Sequence, residues 1–233
     1  MQLHIKEIQK SFDKQPVLRG ATFTFEDNQI YGILGRNGAG KTTLFNILYD
    51  EIDADGGHVW VEKDGATREI APQDVAMVFA DNYLPEFLTG FEFIQFFIEV
   101  RGHETSLSAD EYLDLVGINE QDRHRLIKGY SSGMQSKLSL LTMFIAQPPI
   151  ILLDEPLTAV DVVSGIEIKK LLLTLKPGRI ILLSTHILQL AEDLCDKIVL
   201  LRHGQLSVLE DFGSEEAFEA QIVKALSEDE SYD

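Results

Sequence analysis

Cysteine is almost missing from this chain: Cys195 is the only one among 233 residues. No internal disulfide can form, and nothing points to an oxidising compartment. The stretch around it, Leu188 to Cys195, reads as a helix that uses the thiol as a small buried hydrophobe. Long apolar runs are missing too. Ile150 to Leu153 and Ile180 to Leu183 stop far short of the roughly 20 residues needed to cross a bilayer. The start, Met-Gln-Leu-His-Ile-Lys, has no basic region followed by an apolar run, so no secretory signal is expected and the cytoplasm is the default location. Basic residues are scarce: 20 Lys and Arg against 38 Asp and Glu leave a formal net charge of -18. Binding to a phosphate backbone is driven by cationic side chains, so nucleic acid is not an expected partner. An internal repeat and a low-complexity linker are also lacking, which excludes a second copy of the domain or a coiled-coil arm within this sequence.

What is present suffices for one substantial core, since 45% of the residues are hydrophobic. Leu3, Ile5 and Glu7 alternate with His4, Lys6 and Ile8 as in a strand, and Thr22 to Phe25 and Ile30 to Leu34 continue as strands. From Gly38 to Tyr49, Leu44, Ile47 and Leu48 recur at helical spacing, making the segment strand, Gly-rich turn, helix. Further apolar strand runs at Val75 to Phe79, Ile150 to Leu153, Ile180 to Leu183 and Ile198 to Leu201 alternate with helical patterns. That order predicts an α/β fold with a mostly parallel sheet.

Between Leu84 and Gly129 the pattern is helical only, which predicts an inserted helical subdomain. Its aromatic cluster of Phe87, Phe91, Phe93, Phe96 and Phe97 is either the core of the insertion or a docking surface. The last 24 residues, 210–233, hold nine acids and one lysine and read as a solvated tail.

Gly35-Arg36-Asn37-Gly38-Ala39-Gly40-Lys41-Thr42 fits the phosphate-binding pattern G-x-x-x-x-G-K-[ST]. Its glycines let backbone N–H groups approach phosphate oxygens, Lys41 neutralises charge, and Thr42 offers a hydroxyl to Mg²⁺; Ala39 and Thr43 complete the cradle. A preceding strand and a following helix put a helix N-terminus at the phosphates. Ile150 to Glu155 is an apolar strand ending in two carboxylates, a costly arrangement unless a metal or partner meets them. Asp154 is read as a holder of Mg²⁺ and Glu155 as the base that orients and deprotonates a water attacking the γ-phosphate.

Tyr130-Ser131-Ser132-Gly133-Met134 resembles the signature of ATP-binding cassette (ABC) proteins, and it precedes the Asp-Glu strand at the usual distance of that family. The resemblance covers roughly residues 2 to 206, with the motifs in the family's order. It implies a P-loop NTPase core with a mostly parallel sheet, an N-terminal antiparallel β part and the helical subdomain inserted at about 84–129. One cassette would span 1–206, followed by an acidic tail with a short helix over 207–233. The resemblance also implies that Phe12 stacks on adenine, for which a plain core position is the other reading. Thr158-Ala159-Val160-Asp161 resembles the segment that crosses the dimer interface. His186 resembles the histidine facing the γ-phosphate, at the carboxyl edge of the sheet where open α/β sheets bind ligands. Ser131 and the N–H of Gly133 would contact the γ-phosphate held by an opposite subunit, so two cassettes must meet around ATP.

Two departures stand out. Ala80 occupies the place of a glutamine that links Mg²⁺ and the attacking water to the transport subunit, which implies weakened or rerouted sensing. Ser132 and Met134 replace a glycine and a glutamine of the signature, a variant similar to ABC-2 type export cassettes. The implied function is ATP hydrolysis, with ATP and Mg²⁺ as cofactors, driving export through transmembrane permease subunits on another chain. The cassette would act as a homodimer or a heterodimer with a second ATPase subunit, peripheral on the inner face of the cell membrane. The 81–97 region would receive a helix of the membrane subunit. The alternative is a soluble or regulatory ABC-type ATPase not coupled to transport.

Overall fold

The computed structural model describes residues 1–81, 83–101, 107–157, 160–186 and 188–209. At the start, β1 (Gln2–Phe12) and β2 (Gln15–Glu26) pair antiparallel. The expected alternation in β1 holds for Leu3 and Ile5, both buried, and then breaks. Glu7 adopts φ 53, the register slips between Ile5 and Ile8, and Ile8 turns to the core instead of Glu7. One extra residue in a strand moves every later side chain to the opposite face, which is why strict alternation misplaces Glu7.

β3 (Gln29–Leu34) leads through the Gly-rich turn into α1 (Lys41–Leu48). β4 (Gly56–Lys63) and β5 (Ala66–Glu69) then join the first hairpin in a four-stranded antiparallel sheet, order β2-β1-β4-β5. β6 (Val75–Val78) ends at the insertion, which contains α2 (Gly90–Arg101), α3 (Ala109–Leu115) and α4 (Glu120–Arg123). A capping box starts α3: Ser108 Oγ accepts from Glu111 N at 3.3 Å, and Ser108 N donates back to Glu111 Oε2 at 2.7 Å. The buried Arg123 ties α4 to α3 through Asp110, at 2.9 Å, and Asp114.

The chain continues through α5 (Ser132–Ala146), β7 (Ile150–Asp154), α6 (Val162–Leu175), β8 (Ile180–Thr185), α7 (Leu188–Leu194), β9 (Lys197–Arg202) and β10 (Gln205–Leu209). The second sheet has the order β10-β9-β3-β8-β7-β6; every pairing is parallel except that of β10 with β9. Strands β7 and β8 are buried along their whole length, as continuous apolar runs covered on both faces must be. β10 extends to Leu209, past the boundary expected at 206, and the acidic residues 210–233 lie outside the described residues.

Among the described residues three larger cores follow from this layering, beside a small fourth of Leu34, Ala191, Ile198 and Leu200. One lies between the sheets around Phe25, Tyr31 and Phe45; a second joins α6 to the other face of the parallel sheet through Ile168, Leu172 and Ile181. The third belongs to the helical part, where Ile94, Leu113 and Ile127 pack on Leu138 and Leu141 of α5. Burial of this kind contributes about 25 cal/mol per Å² of apolar surface. The aromatic cluster of the insertion divides accordingly: Phe91, Phe93 and Phe97 pack on this core, whereas Phe87 and Phe96 are exposed.

Candidate functional site

The site is built where β3, β6, β7 and β8 end, on the carboxyl edge of the parallel sheet. Gly40 is the N-cap of α1 with φ 101, a left-handed conformation that favours glycine, and a Cβ there would lie 2.8 Å from Val17 Cγ1. The turn can therefore bring α1 against the β1–β2 hairpin only with glycine at this position. It also starts the helix at Lys41, so the free N–H groups of its first turn face the edge of the sheet.

Lys41 is buried and folds back, donating from Nζ to the carbonyl of Gly35 at 2.7 Å and that of Arg36 at 3.3 Å. Burial lowers its pKa, against the pull of the Glu155 and Asp154 carboxylates, which raises it. A cation held this way has given up its water shell and is matched to an anion entering beside it.

Asp154 closes β7 and is 4% exposed. Its two oxygens are both used: Thr42 Oγ1 donates to Oδ2 at 2.8 Å and Ser184 Oγ donates to Oδ1. Ser184 lies opposite Asp154 in the β7–β8 register and also accepts from Glu155 N at 3.0 Å. One hydroxyl thus sets both carboxylate residues. The sequence analysis assigned Ser184 no role; the available signal was the pair of polar residues, Ser184 and Thr185, closing an otherwise apolar, fully buried strand.

Glu155 has φ 50, a conformation uncommon for residues other than glycine, which turns its side chain out of the strand line. Its carboxylate meets His186 Nδ1 at 2.9 to 3.0 Å. With Glu155 ionised, Nδ1 carries the hydrogen and donates it. Lys41, Thr42, Thr43, Asp154 and Glu155 line one cleft of about 320 Å³, together with Asn37, Gly38 and Ala80. The side chain of Ala80 has no hydrogen-bonding atom to offer that wall.

Phe12, at the end of β1, is 47% exposed, so the plain core reading does not apply to it. The ammonium of Lys10 lies 5.6 Å from its ring centroid, and its hairpin neighbours Gln15 and Val17 line a larger cleft beside the first. Arg36 and Ala39 also face that neighbouring cleft. The structure does not bring Ser131 and Gly133 to the Lys41 cleft. Ser131 is the N-cap of α5, accepting from Met134 N at 3.2 Å, and Gly133 is buried against α6. A Cβ on Gly133 would lie 2.5 Å from Ser164 Oγ and 3.3 Å from Asp161 Oδ2. Asp161 caps α6, accepting from Val163 N and Ser164 N at 3.0 Å, and these bonds, that of Ser164 foremost, hold its carboxyl below the usual range. Thr158 and Ala159 lie outside the described residues.

The family model described as ABC transporter matches residues 18–158, more than half of the chain. The chain belongs to the ABC transporter family. Within it, the cassette is similar to an uncharacterized ABC transporter ATP-binding protein of Nostoc sp., 32% identical over 213 residues, which cover 88% of this chain and 64% of that one. It is also similar to a fluoroquinolones export ATP-binding protein of Mycobacterium tuberculosis, 33% identical over 202 residues, covering 84% of this chain and 65% of that one. The cassette thus spans just under two thirds of the length of these two relatives. Among solved structures, it resembles an ATP-binding cassette captured as a dimer in a post-hydrolysis state with ADP and Pi. The TM-score is 0.75 at 22% identity, over 90% of this chain and all of that one. The P-loop ATPase fold of ABC cassettes, with an antiparallel N-terminal sheet and a parallel-rich second sheet, is therefore the fold of this chain.

Proposed function

We propose that this cassette hydrolyses ATP as the energy-supplying subunit of a transporter and drives export through membrane-spanning subunits on another chain. The observation that carries the reading is the convergence of Lys41, Thr42, Asp154 and Glu155 on one cleft, with Ser131 and Gly133 outside it. A phosphate cleft whose capping segment lies elsewhere needs a second copy to complete it. The dimeric solved relative supports that arrangement.

In this reading Gly35 to Thr43 cradle the triphosphate and Phe12 stacks on the base. Lys41 exchanges the carbonyls of Gly35 and Arg36 for phosphate oxygens. Thr42 and Asp154 already face each other at 2.8 Å with oxygen donors, the ligand type Mg²⁺ prefers. Among the described residues no group of three or more His, Cys, Asp and Glu could hold a metal, which suits an ion held mainly by phosphates and water. Mg²⁺ bound there would neutralise charge developing on the β- and γ-phosphates. Glu155 takes a proton from the attacking water, and His186 orients that carboxylate. Ser131 and Gly133 of one copy cap the ATP of the other, so hydrolysis loosens the pair.

The proposed organisation is one cassette carrying a helical subdomain at about 84–129, with the acidic tail following. Tyr83, Phe87, Phe96 and Val100 are exposed by 58% to 78% on that subdomain, which supports docking of an apolar segment from a membrane subunit. No described helix is long and apolar enough to cross a membrane, in keeping with attachment to the cytoplasmic face through a partner. The relative that exports fluoroquinolones supports the outward direction.

Ala80 favours a second reading, in which turnover is slow and ATP occupancy carries a signal. The test is to extract membranes holding tagged Glu155→Gln cassette in mild detergent with ATP and Mg²⁺ and identify what is retained. A multi-span protein is expected. Retention of soluble proteins alone, or of none, contradicts the transporter reading. Measured with that partner, Ala80→Gln is expected to raise transport-stimulated ATPase activity; an unchanged rate would remove Ala80 from the account.

A further inference from the structure

The segment that leads into Ser131 is tied down twice. The first tie is a short ladder to the stretch before α2: Ile127 N donates to Leu88 O at 2.9 Å, Lys128 N donates to Glu86 O at 3.3 Å, and Leu126 pairs antiparallel with Thr89. A 3₁₀ turn over Ile127–Gly129 follows, and Tyr130 N closes it on Ile127 O at 2.9 Å. The second tie is the side chain of Tyr130, the last residue before the N-cap of α5.

Tyr130 is 6% exposed, and its ring belongs to the core of the helical part. Phenylalanine would fill that space equally well, so the hydroxyl needs its own account. It donates to the carbonyl of Asp122 at 2.8 Å, near the end of α4. Burial, and after it the charge of Asp122, raises its pKa, so it keeps the proton that it donates. On its other side lies Gly90, the first residue of α2, where a Cβ would collide with Oη and come within 3.0 Å of Cζ. Glycine at 90 and the hydroxyl at 130 are a matched pair, and one oxygen atom joins α2 and α4 to the start of α5. Just beyond, Ser131 is exposed and caps α5 by accepting from Met134 N at 3.2 Å, while Gly133 is wedged against Ser164. The first turn of α5 is thus fixed by α6 on one side and by Tyr130 on the other.

We propose that Tyr130 is a positioning residue: its hydroxyl, seated between Asp122 and Gly90, sets where Ser131 and Gly133 are offered to the ATP of the opposite copy. The inference rests on the reading given above, in which one copy caps the ATP of the other. Without that hold the segment samples other positions, and the capped dimer forms only from the aligned fraction. The cleft of the same copy, built on Lys41, Thr42 and Asp154, does not change.

The test is made in the Glu155→Gln protein, by gel filtration with ATP and Mg²⁺ over a range of protein concentrations and by binding of a fluorescent ATP analogue to the dilute monomer. Adding Tyr130→Phe is expected to raise the midpoint of dimerisation about tenfold and to leave analogue binding within about twofold. Gly90→Ala presses on the same hydroxyl from outside and is expected to act in the same direction. Combined with Tyr130→Phe, it is expected to cost less than the two effects added together, because both act on one contact. Tyr112→Phe removes a hydroxyl elsewhere in the same core and is expected to leave the midpoint in place. A midpoint unmoved by Tyr130→Phe, an equal shift from Tyr112→Phe, or analogue binding that weakens in step with dimerisation would overturn the proposal. A Glu155→Gln protein that binds the analogue and never dimerises would remove the reading of capping between copies, and the proposal with it.

Discussion

A single hydroxyl organises the centre of this site. Ser184 donates to Asp154 and accepts from Glu155 N, so Ser184→Ala removes two bonds from a fully buried position. The expected cost is about 1–3 kcal/mol in urea unfolding, with reduced ATPase activity; unchanged stability would show that the bonds are redundant. Lys41, Thr42, Asp154 and Glu155 were legible in the sequence because each belongs to a contiguous pattern. Ser184 was not, because its role depends on the register of two strands about 30 residues apart. Phe12 kept two readings until its exposure removed one. In the sequence Cys195 reads as a buried thiol; in the structure it is partly buried against the cores beside α7, and that burial with the nearby Asp196 pushes its pKa up to about 12. The raised pKa disfavours the thiolate, so iodoacetamide is expected to label the native protein more slowly than the urea-unfolded protein. Equal labelling rates would refute the burial.

Elements were legible where periodicity was uninterrupted. Ile150–Asp154 and Ile180–Thr185 appear in the apolar runs because buried parallel strands leave no polar face. β5 left no such trace, since all four of its residues are exposed and it exists by pairing with β4. The bulge at Glu7 was hidden for a related reason: positive φ at a glutamate has no local sequence signal. The packing of α5 on α6 was also out of reach, although it joins two segments of the proposed mechanism. Gly133 touches Ser164 in the turn capped by Asp161, immediately after the described part of the interface segment. Alanine at Gly133 would gain up to about 1 kcal/mol of helix propensity and lose about 1–3 kcal/mol to crowding. Gly133→Ala is therefore expected to destabilise the protein in urea unfolding without nucleotide, with Ser164→Gly restoring it. A gain in stability would show that α5 and α6 can separate freely.

At the scale of the molecule, the α/β class, the inserted helices and the acidic balance all follow from composition and order of elements. The division of labour between clefts does not, because it needs both sheets in place. One cleft collects the lysine, the hydroxyl and the two carboxylates; the signature segment points elsewhere, which makes the cassette half of a device. The most direct measurement is gel filtration of Glu155→Gln with ATP and Mg²⁺, alongside its ATPase rate. The account predicts an ATP-dependent dimer with hydrolysis reduced at least a hundredfold, and a monomer when Lys41→Ala is added. A Glu155→Gln protein that hydrolyses ATP at the original rate, or stays monomeric while saturated with ATP, would contradict it.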